Sequence, residues 1–220
     1  MNVFSFHHAG GSKYSYNNII FGNNYKGKEI SRNNKGTIED VCDEIVEKMI
    51  NEDSFENPYC IYGHSMGALI GYLVSHIIHE KKLPIPQKLI ISGRKSPSIL
   101  QQKKLSLLPE EEFWEAIDKF GGTAKELNNY PELKEYFIPI LKHDFRLVEN
   151  YRYSRRSKLN IPIDVFYGSE EAIQEDMLGW QDETTEKVII TQLPGNHFFI
   201  FDHVEYFRSY FNNLINQNKC

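Results

Sequence analysis

The sequence predicts an α/β fold: a mostly parallel sheet with helices on both faces and a helical insertion near its middle. Three observations carry this. Short apolar runs rich in β-branched and aromatic residues alternate with helix-length amphipathic stretches, the pattern of strands joined by crossover helices. The segment Tyr59-Cys60-Ile61-Tyr62-Gly63-His64-Ser65-Met66-Gly67-Ala68 reads as a buried strand, a G-x-S-x-G turn and a helix. The alternation then breaks between Ser96 and Lys158, where helical character dominates and no convincing strand occurs.

The elements follow in order. Strands are expected at Val3–Phe6, Tyr59–Tyr62, Leu89–Ser92, Ile163–Tyr167 and Val188–Gln192. Helices are expected at Ile38–Asn51, Met66–Lys81 and His203–Asn216. Thr37 offers an N-cap to the first of these, with Asp40 at the position where a capping box usually has Glu or Gln. Residues 17–34 are locally dense in Asn and read as loop. The insertion, about 96–158, is expected as helices at Pro109–Phe120, Ala124–Asn129, Pro131–Lys142 and Asp144–Tyr153. Placed between two strands, it would cover the C-terminal strand ends as a lid; helices packed away from the site are the alternative. The whole chain, 1–220, is read as one domain, since 220 residues suit a single core.

Composition narrows the function. Hydrophobic content of 40% supplies a packed interior, and a net charge of −5 without a long basic run argues against nucleic-acid binding. No apolar stretch approaches the roughly 20 residues of a membrane helix. No basic n-region with an apolar h-region follows Met1, so a secretory signal is not expected. Cys42, Cys60 and Cys220 are odd in number and lack C-x-x-C spacing, as in a reduced, cytoplasmic protein without a disulfide framework or zinc site. Cys60 reads as a small core residue. No metal or cofactor is expected, and a monomer is. Charge is uneven: residues 94–158 hold 13 basic and 10 acidic side chains. Arg152, Arg155, Arg156 and Lys158 form a basic run that is either solvated surface or, beside an active-site entrance, a dock for an anionic partner.

The turn around Ser65 carries the chemistry. In a nucleophile elbow the serine Oγ stands above the sheet edge and the glycines let backbone pass close by. A serine hydroxyl is a weak nucleophile near neutral pH and needs a base, which needs an acid to orient it; in this kind of fold the chain order is Ser, acid, His. His197, in Leu193-Pro194-Gly195-Asn196-His197-Phe198-Phe199 after the last strand, is placed to be the base. His64 lies within the elbow, His76 and His79 on a helix, His143 in the lid region and His203 at the start of the final helix; each fits less well. The acid belongs in the turn Gly168-Ser169-Glu170-Glu171. Glu171 is the first choice and Glu170 the second, with Asp164 inside a strand and Asp176 farther along. An oxyanion hole requires two backbone N–H groups. One is that of Met66, after the nucleophile. The other belongs to the loop His7-His8-Ala9-Gly10-Gly11, directly after the first strand.

These residues together resemble the type II thioesterases that accompany nonribosomal peptide and polyketide synthases, within the α/β-hydrolase superfamily. Phe6-His7-His8-Ala9-Gly10-Gly11-Ser12 is similar to that family's F-P-H-A-G-G-S loop, with His7 where proline is usual. Gly63-His64-Ser65-Met66-Gly67-Ala68 resembles its elbow, and Ser92-Gly93-Arg94-Lys95-Ser96-Pro97 its S-G-R-x-x-P turn. Gly121-Gly122-Thr123 and Asp144–Tyr153 resemble its lid signatures, and Gly195-Asn196-His197-Phe198-Phe199 its G-x-H-F-F loop. The resemblance implies Ser65 as nucleophile, His197 as base, and Ala9 with Met66 as oxyanion donors. It implies hydrolysis of acyl groups, often aberrant, from the phosphopantetheine arm of acyl or peptidyl carrier proteins. The departures are Glu171 where the family has aspartate, Lys26-Gly27-Lys28-Glu29 for its P-G-R-E, and a short stretch between Gly11 and Lys26 that leaves one edge strand reduced or irregular. Rival readings are a carboxylesterase or acyl-CoA thioesterase, and a non-catalytic hydrolase-like binding module. Phe113, Trp114 and Phe120 either form an acyl pocket or pack the lid onto the core.

Overall fold

The computed structural model describes residues 1–20, 22–32, 36–99, 103–121 and 130–216. The expected helix at Ala124–Asn129, the lid residues Gly122 and Thr123, and Cys220 lie outside them. Six strands form one sheet: β1 Asn2–Phe6, β2 Tyr25–Lys28, β3 Tyr59–His64, β4 Leu89–Ser92, β5 Ile163–Gly168 and β6 Val188–Leu193. Their order is β2-β1-β3-β4-β5-β6, and every pairing is parallel. Seven α-helices are described: α1 Ile38–Asn51, α2 Met66–Glu80, α3 Glu110–Asp118, α4 Pro131–Asn150, α5 Glu175–Leu178, α6 Phe199–Asp202 and α7 Val204–Asn216.

Successive strand side chains point to opposite faces, and this sheet fills both. Phe4, Ile61, Leu89, Ile91, Ile163 and Val165 pack toward α1 and α2. Val3, Cys60, Tyr62, Ile90 and Phe166 pack toward α7 and the loop residues Tyr16, Ile19 and Ile20. Burial on both faces is why β3, β4 and most of β5 read as continuous apolar runs. Helix α1 starts at the expected capping box: the Asp40 N–H donates to Thr37 Oγ1 at 3.2 Å, and the Thr37 N–H to Asp40 Oδ2 at 2.7 Å.

Two differences from the sequence reading have physical causes. β2 falls in the region read as loop. It is a four-residue edge strand, Tyr-Lys-Gly-Lys, with no apolar alternation, held by pairing with β1 in the register Val3 to Tyr25. Gly27 is required there, because a Cβ would lie 1.8 Å from the Lys13 carbonyl oxygen. The helices expected as Pro131–Lys142 and Asp144–Tyr153 are one, α4, which runs through His143 and accommodates Pro139 in its interior. A buried Asp144 is turned inward from its middle rather than capping a new helix.

Helices α3 and α4 lie in the chain between β4 and β5 and pack through Phe113, Trp114, Ile117 and Ile138. They reach the loops at the C-terminal strand ends: a Cβ on Gly10 would lie 2.7 Å from Leu141 Cδ2, and one on Gly121 2.3 Å from Asn196 Nδ2. Among the described residues no helix is long and apolar enough to cross a membrane.

Candidate active site

The elbow is built by close backbone approach. Ser65 sits between β3 and α2 with φ 57° and ψ −112°, a region L-residues rarely occupy. Its N–H donates to the Ser92 carbonyl of β4 at 2.9 Å. A Cβ on Gly63 would lie 2.0 Å from the Gly67 carbonyl oxygen, and one on Gly67 1.9 Å from that of Phe6. No side chain fits at either glycine, so the spacing in G-x-S-x-G follows from contact between β1, the elbow and the first turn of α2.

The base and acid come from adjacent strand ends. His197 lies in the loop after β6, and its Nδ1–H donates to Glu171 Oε2 at 2.5 Å. Glu171, in the turn after β5, is held by the Gly168 N–H on its other oxygen at 2.9 Å. Gly168 lets the two loops touch, since a Cβ there would lie 2.3 Å from the Asn196 carbonyl oxygen. Glu170 is exposed, Asp164 pairs with Lys88 at 2.8 Å and Tyr210 at 2.6 Å, and Asp176 pairs with Lys95 at 2.7 Å. The structure thus brings Glu171, of the four carboxylates considered, to the imidazole. With Nδ1 engaged, Nε2 is left to serve as base; it has no hydrogen-bond partner among the described residues. Ser65 and His197 line the same cavity without a direct hydrogen bond between them, and such contacts often close only around substrate.

Two other imidazoles flank His197. The His64 ring lies tilted against it at 4.9 Å between centroids, and its Nδ1 meets Ser92 Oγ at 2.9 Å. His8 lies against Phe198 and donates from Nδ1 to the Ala9 carbonyl at 2.9 Å. Burial lowers His64 well below the ordinary histidine range and His8 to about 4. Both therefore stay neutral near pH 7 and do not oppose a positive charge on His197.

The oxyanion loop is pinned by residues the sequence reading did not single out for this role. Asp144 of α4 is fully buried and accepts the Gly10 N–H on Oδ2 at 2.9 Å. Arg32 donates to the same carboxylate from Nε at 3.0 Å and Nη2 at 2.8 Å, and from Nη2 to the Gly11 carbonyl at 3.0 Å. The Ala9 and Met66 N–H groups have no acceptor among the described residues. Met66 opens α2, where the helix dipole favours negative charge. Sequence offered one clue to the clamp: Asp144 is an acidic residue amid the apolar positions of the lid.

A cavity of about 930 Å³ opens over this constellation. Trp114, Phe120, Phe137, Leu141 and Phe145 from the lid side form much of its wall. Phe113 instead packs edge-on against Phe145 inside the lid. The three aromatics thus divide between the two expected roles.

The basic run at 152–158 does not border this cavity. Arg156 pairs with Glu80 at 3.1 Å, at the end of α2 opposite Ser65, roughly 20 Å away at 1.5 Å per helical residue. Arg152 donates to the Glu149 and Tyr151 carbonyls.

A thioesterase-domain model matches residues 1–214. The gramicidin S biosynthesis protein GrsT of Aneurinibacillus migulanus is 28% identical over 184 residues, covering 82% of this chain and 70% of that protein. The medium-chain S-acyl fatty acid synthase thioesterase of Rattus norvegicus is 32% identical over 177 residues, covering 77% of this chain and 66% of its own length. The matched stretch thus spans about two thirds of either relative. Among solved structures, ClbQ from the colibactin NRPS/PKS pathway superposes with a TM-score of 0.86 at 27% identity, over 99% of this chain and 98% of ClbQ.

Proposed function

The chain belongs to the thioesterase family, whose members hydrolyse thioesters, and from that premise we propose that it clears acyl groups, aberrant or stalled ones included, from the phosphopantetheine arms of carrier proteins in nonribosomal peptide or polyketide synthesis. The observation that carries the mechanism is the 2.5 Å contact of His197 Nδ1 with Glu171 on one wall of the cavity that Ser65 also lines. The pathway is supported by the similarity to the gramicidin S biosynthesis protein GrsT and to ClbQ of the colibactin NRPS/PKS pathway.

In this reading Ser65 Oγ attacks the thioester carbonyl and His197 Nε2 takes its proton. Glu171 holds the ring in the tautomer that leaves Nε2 basic and stabilises the imidazolium formed. The tetrahedral oxyanion rests on the Ala9 and Met66 N–H groups. His197 returns the proton as the thiol leaves, and then activates the water that frees the acid from the acyl-enzyme. The aromatic chamber takes the acyl chain and excludes water from the reacting centre. Glutamate in place of aspartate is compatible with this: its extra methylene is taken up by the turn, where the Gly168 N–H fixes the second oxygen.

Turnover of one acyl group on a carrier protein, on coenzyme A and as a p-nitrophenyl ester separates the readings. Carrier substrates are expected to give the highest kcat/KM. Preference for the oxygen ester or for coenzyme A would refute the carrier assignment in favour of an esterase or acyl-CoA thioesterase.

A further inference from the structure

The acyl chamber is largely apolar, yet its wall includes charged residues that the mechanism does not use, Arg94 among them. Arg94 follows β4 through Gly93, whose φ is +60° and whose Cβ, if present, would lie 2.4 Å from His64 Cε1. The chain therefore turns tightly beneath the imidazole layer and delivers Arg94 to the cavity wall. Trp180 fixes that backbone, its Nε1–H donating to the Arg94 carbonyl at 3.2 Å.

The guanidinium has no ion-pair partner and no hydrogen-bond acceptor among the described residues. Nearby charges do not compensate it. Lys95 is paired with Asp176, Lys119 adds further positive charge to the wall, and Glu171 is committed to His197 and the Gly168 N–H. Glu170, which also lines the cavity, is exposed and forms no ion pair with Arg94. Burial lowers the Arg94 pKa to about 10, so the group remains a cation at neutral pH. A partly desolvated, unpaired cation is costly, and it adds nothing to the binding of a plain hydrocarbon chain.

Arg94 is also close to the chemistry. Ser92 bonds the Ser65 N–H directly. Two further residues of chain span at most about 7 Å, and adjacent strands lie roughly 4.8 Å apart. The Arg94 backbone is therefore within about 12 Å of the nucleophile's, a separation that a short acyl group and an arginine side chain bridge together.

We propose that Arg94 reads an anionic group on the substrate, and that this group is a carboxylate borne by the acyl chain a few carbons from the thioester carbonyl. This rests on the thioesterase reading above and narrows its substrate class. The phosphate of the pantetheine arm offers the same chemistry from a second source, so the test must separate them.

The test uses two pantetheine thioesters lacking phosphate, matched in length, one acyl chain ending in carboxylate and one in methyl. Each is also made on phosphopantetheine. The ratio of kcat/KM, carboxylated over methyl-ended, is expected to fall about 10- to 100-fold in Arg94→Gln, the loss of one charge-assisted contact, and to recover largely in Arg94→Lys. The free dicarboxylic product is expected to inhibit the wild type competitively and Arg94→Gln at least 10-fold more weakly. An unchanged ratio in both variants would overturn the proposal. So would a loss seen only with phosphate-bearing arms, which would assign Arg94 to the arm. Hydrolysis of neither thioester by wild type would instead overturn the thioesterase reading beneath it.

Discussion

Replacing Asp144 by Ala removes the single carboxylate through which α4 holds the oxyanion loop. In the structure it accepts the Gly10 N–H and three hydrogen bonds from Arg32, with its own side chain wholly buried and that of Arg32 23% exposed. Breaking a buried ion pair from one side costs about 3–5 kcal/mol. Partial exposure of Arg32 lets water recover some of this, which leaves about 2–3 kcal/mol. For a chain of this length that corresponds to a fall in Tm of roughly 4–12 °C. The catalytic effect is separate. Gly10 adjoins Ala9, so a freed loop withdraws one oxyanion donor, and loss of such a donor lowers kcat about 10²–10³-fold. The assay is kcat per active site, with sites counted by fluorophosphonate titration, so that unfolded protein does not enter the rate. Asp144→Asn keeps the shape and loses the charge, and is expected to fall between wild type and Ala. Wild-type kcat per titrated site in Asp144→Ala, whatever its Tm, would refute the coupling of lid helix to oxyanion loop.

Three further outcomes are expected. Glu171→Gln should lower kcat about 10⁴-fold, as loss of the orienting carboxylate does in comparable triads, while Glu170→Gln, altering an exposed side chain, should stay within about 3-fold; equal effects on steady-state turnover would refute the assignment of the acid. Burial depresses His8 and His76 to about 4 in the folded state. The unfolded chain therefore binds protons first as pH falls below about 6.5, and each site removes up to about 1.4 kcal/mol of stability per pH unit between 6.5 and 4; urea titrations across that window should show the slope, reduced in His8→Gln, and a pH-independent midpoint would contradict it. Reversing charge at Arg155 and Arg156, at the far end of α2 from Ser65, should leave KM for carrier substrates unchanged, and a several-fold rise would return that surface to consideration as the dock.

The legible part of the fold was the part whose side chains repeat. β1, β3, β4 and β5 are buried on both faces, so their β-branched and aromatic runs stand out, and Thr37 with Asp40 marked the start of α1. β2 was hidden because an edge strand of Tyr, Lys, Gly and Lys has no apolar pattern; its place comes from pairing with β1. The continuity of α4 was hidden at Asp144, read as the start of a second helix, whose inward turn depends on Arg32, far away in sequence. Site positions showed the same division. Ser65, His197 and Glu171 were legible because each sits at a strand end in a fixed chain order. Glu171 stood only narrowly ahead of Glu170 in the sequence, and its contacts with His197 and the Gly168 N–H separate the two in the structure, while the Arg32–Asp144 clamp needed three dimensions.

The central claim, that Ser65 carries the acyl group between thioester and water, is tested most directly by rapid-quench intact-mass measurement on wild type and Ser65→Ala with an acyl-carrier substrate. The account expects a transient mass gain equal to the acyl group, mapping to Ser65, and a fall in turnover of about 10⁶-fold in the variant, as for removal of the nucleophile in comparable triads. Near wild-type hydrolysis by a correctly folded Ser65→Ala, or an acyl group mapped to another residue, would contradict it.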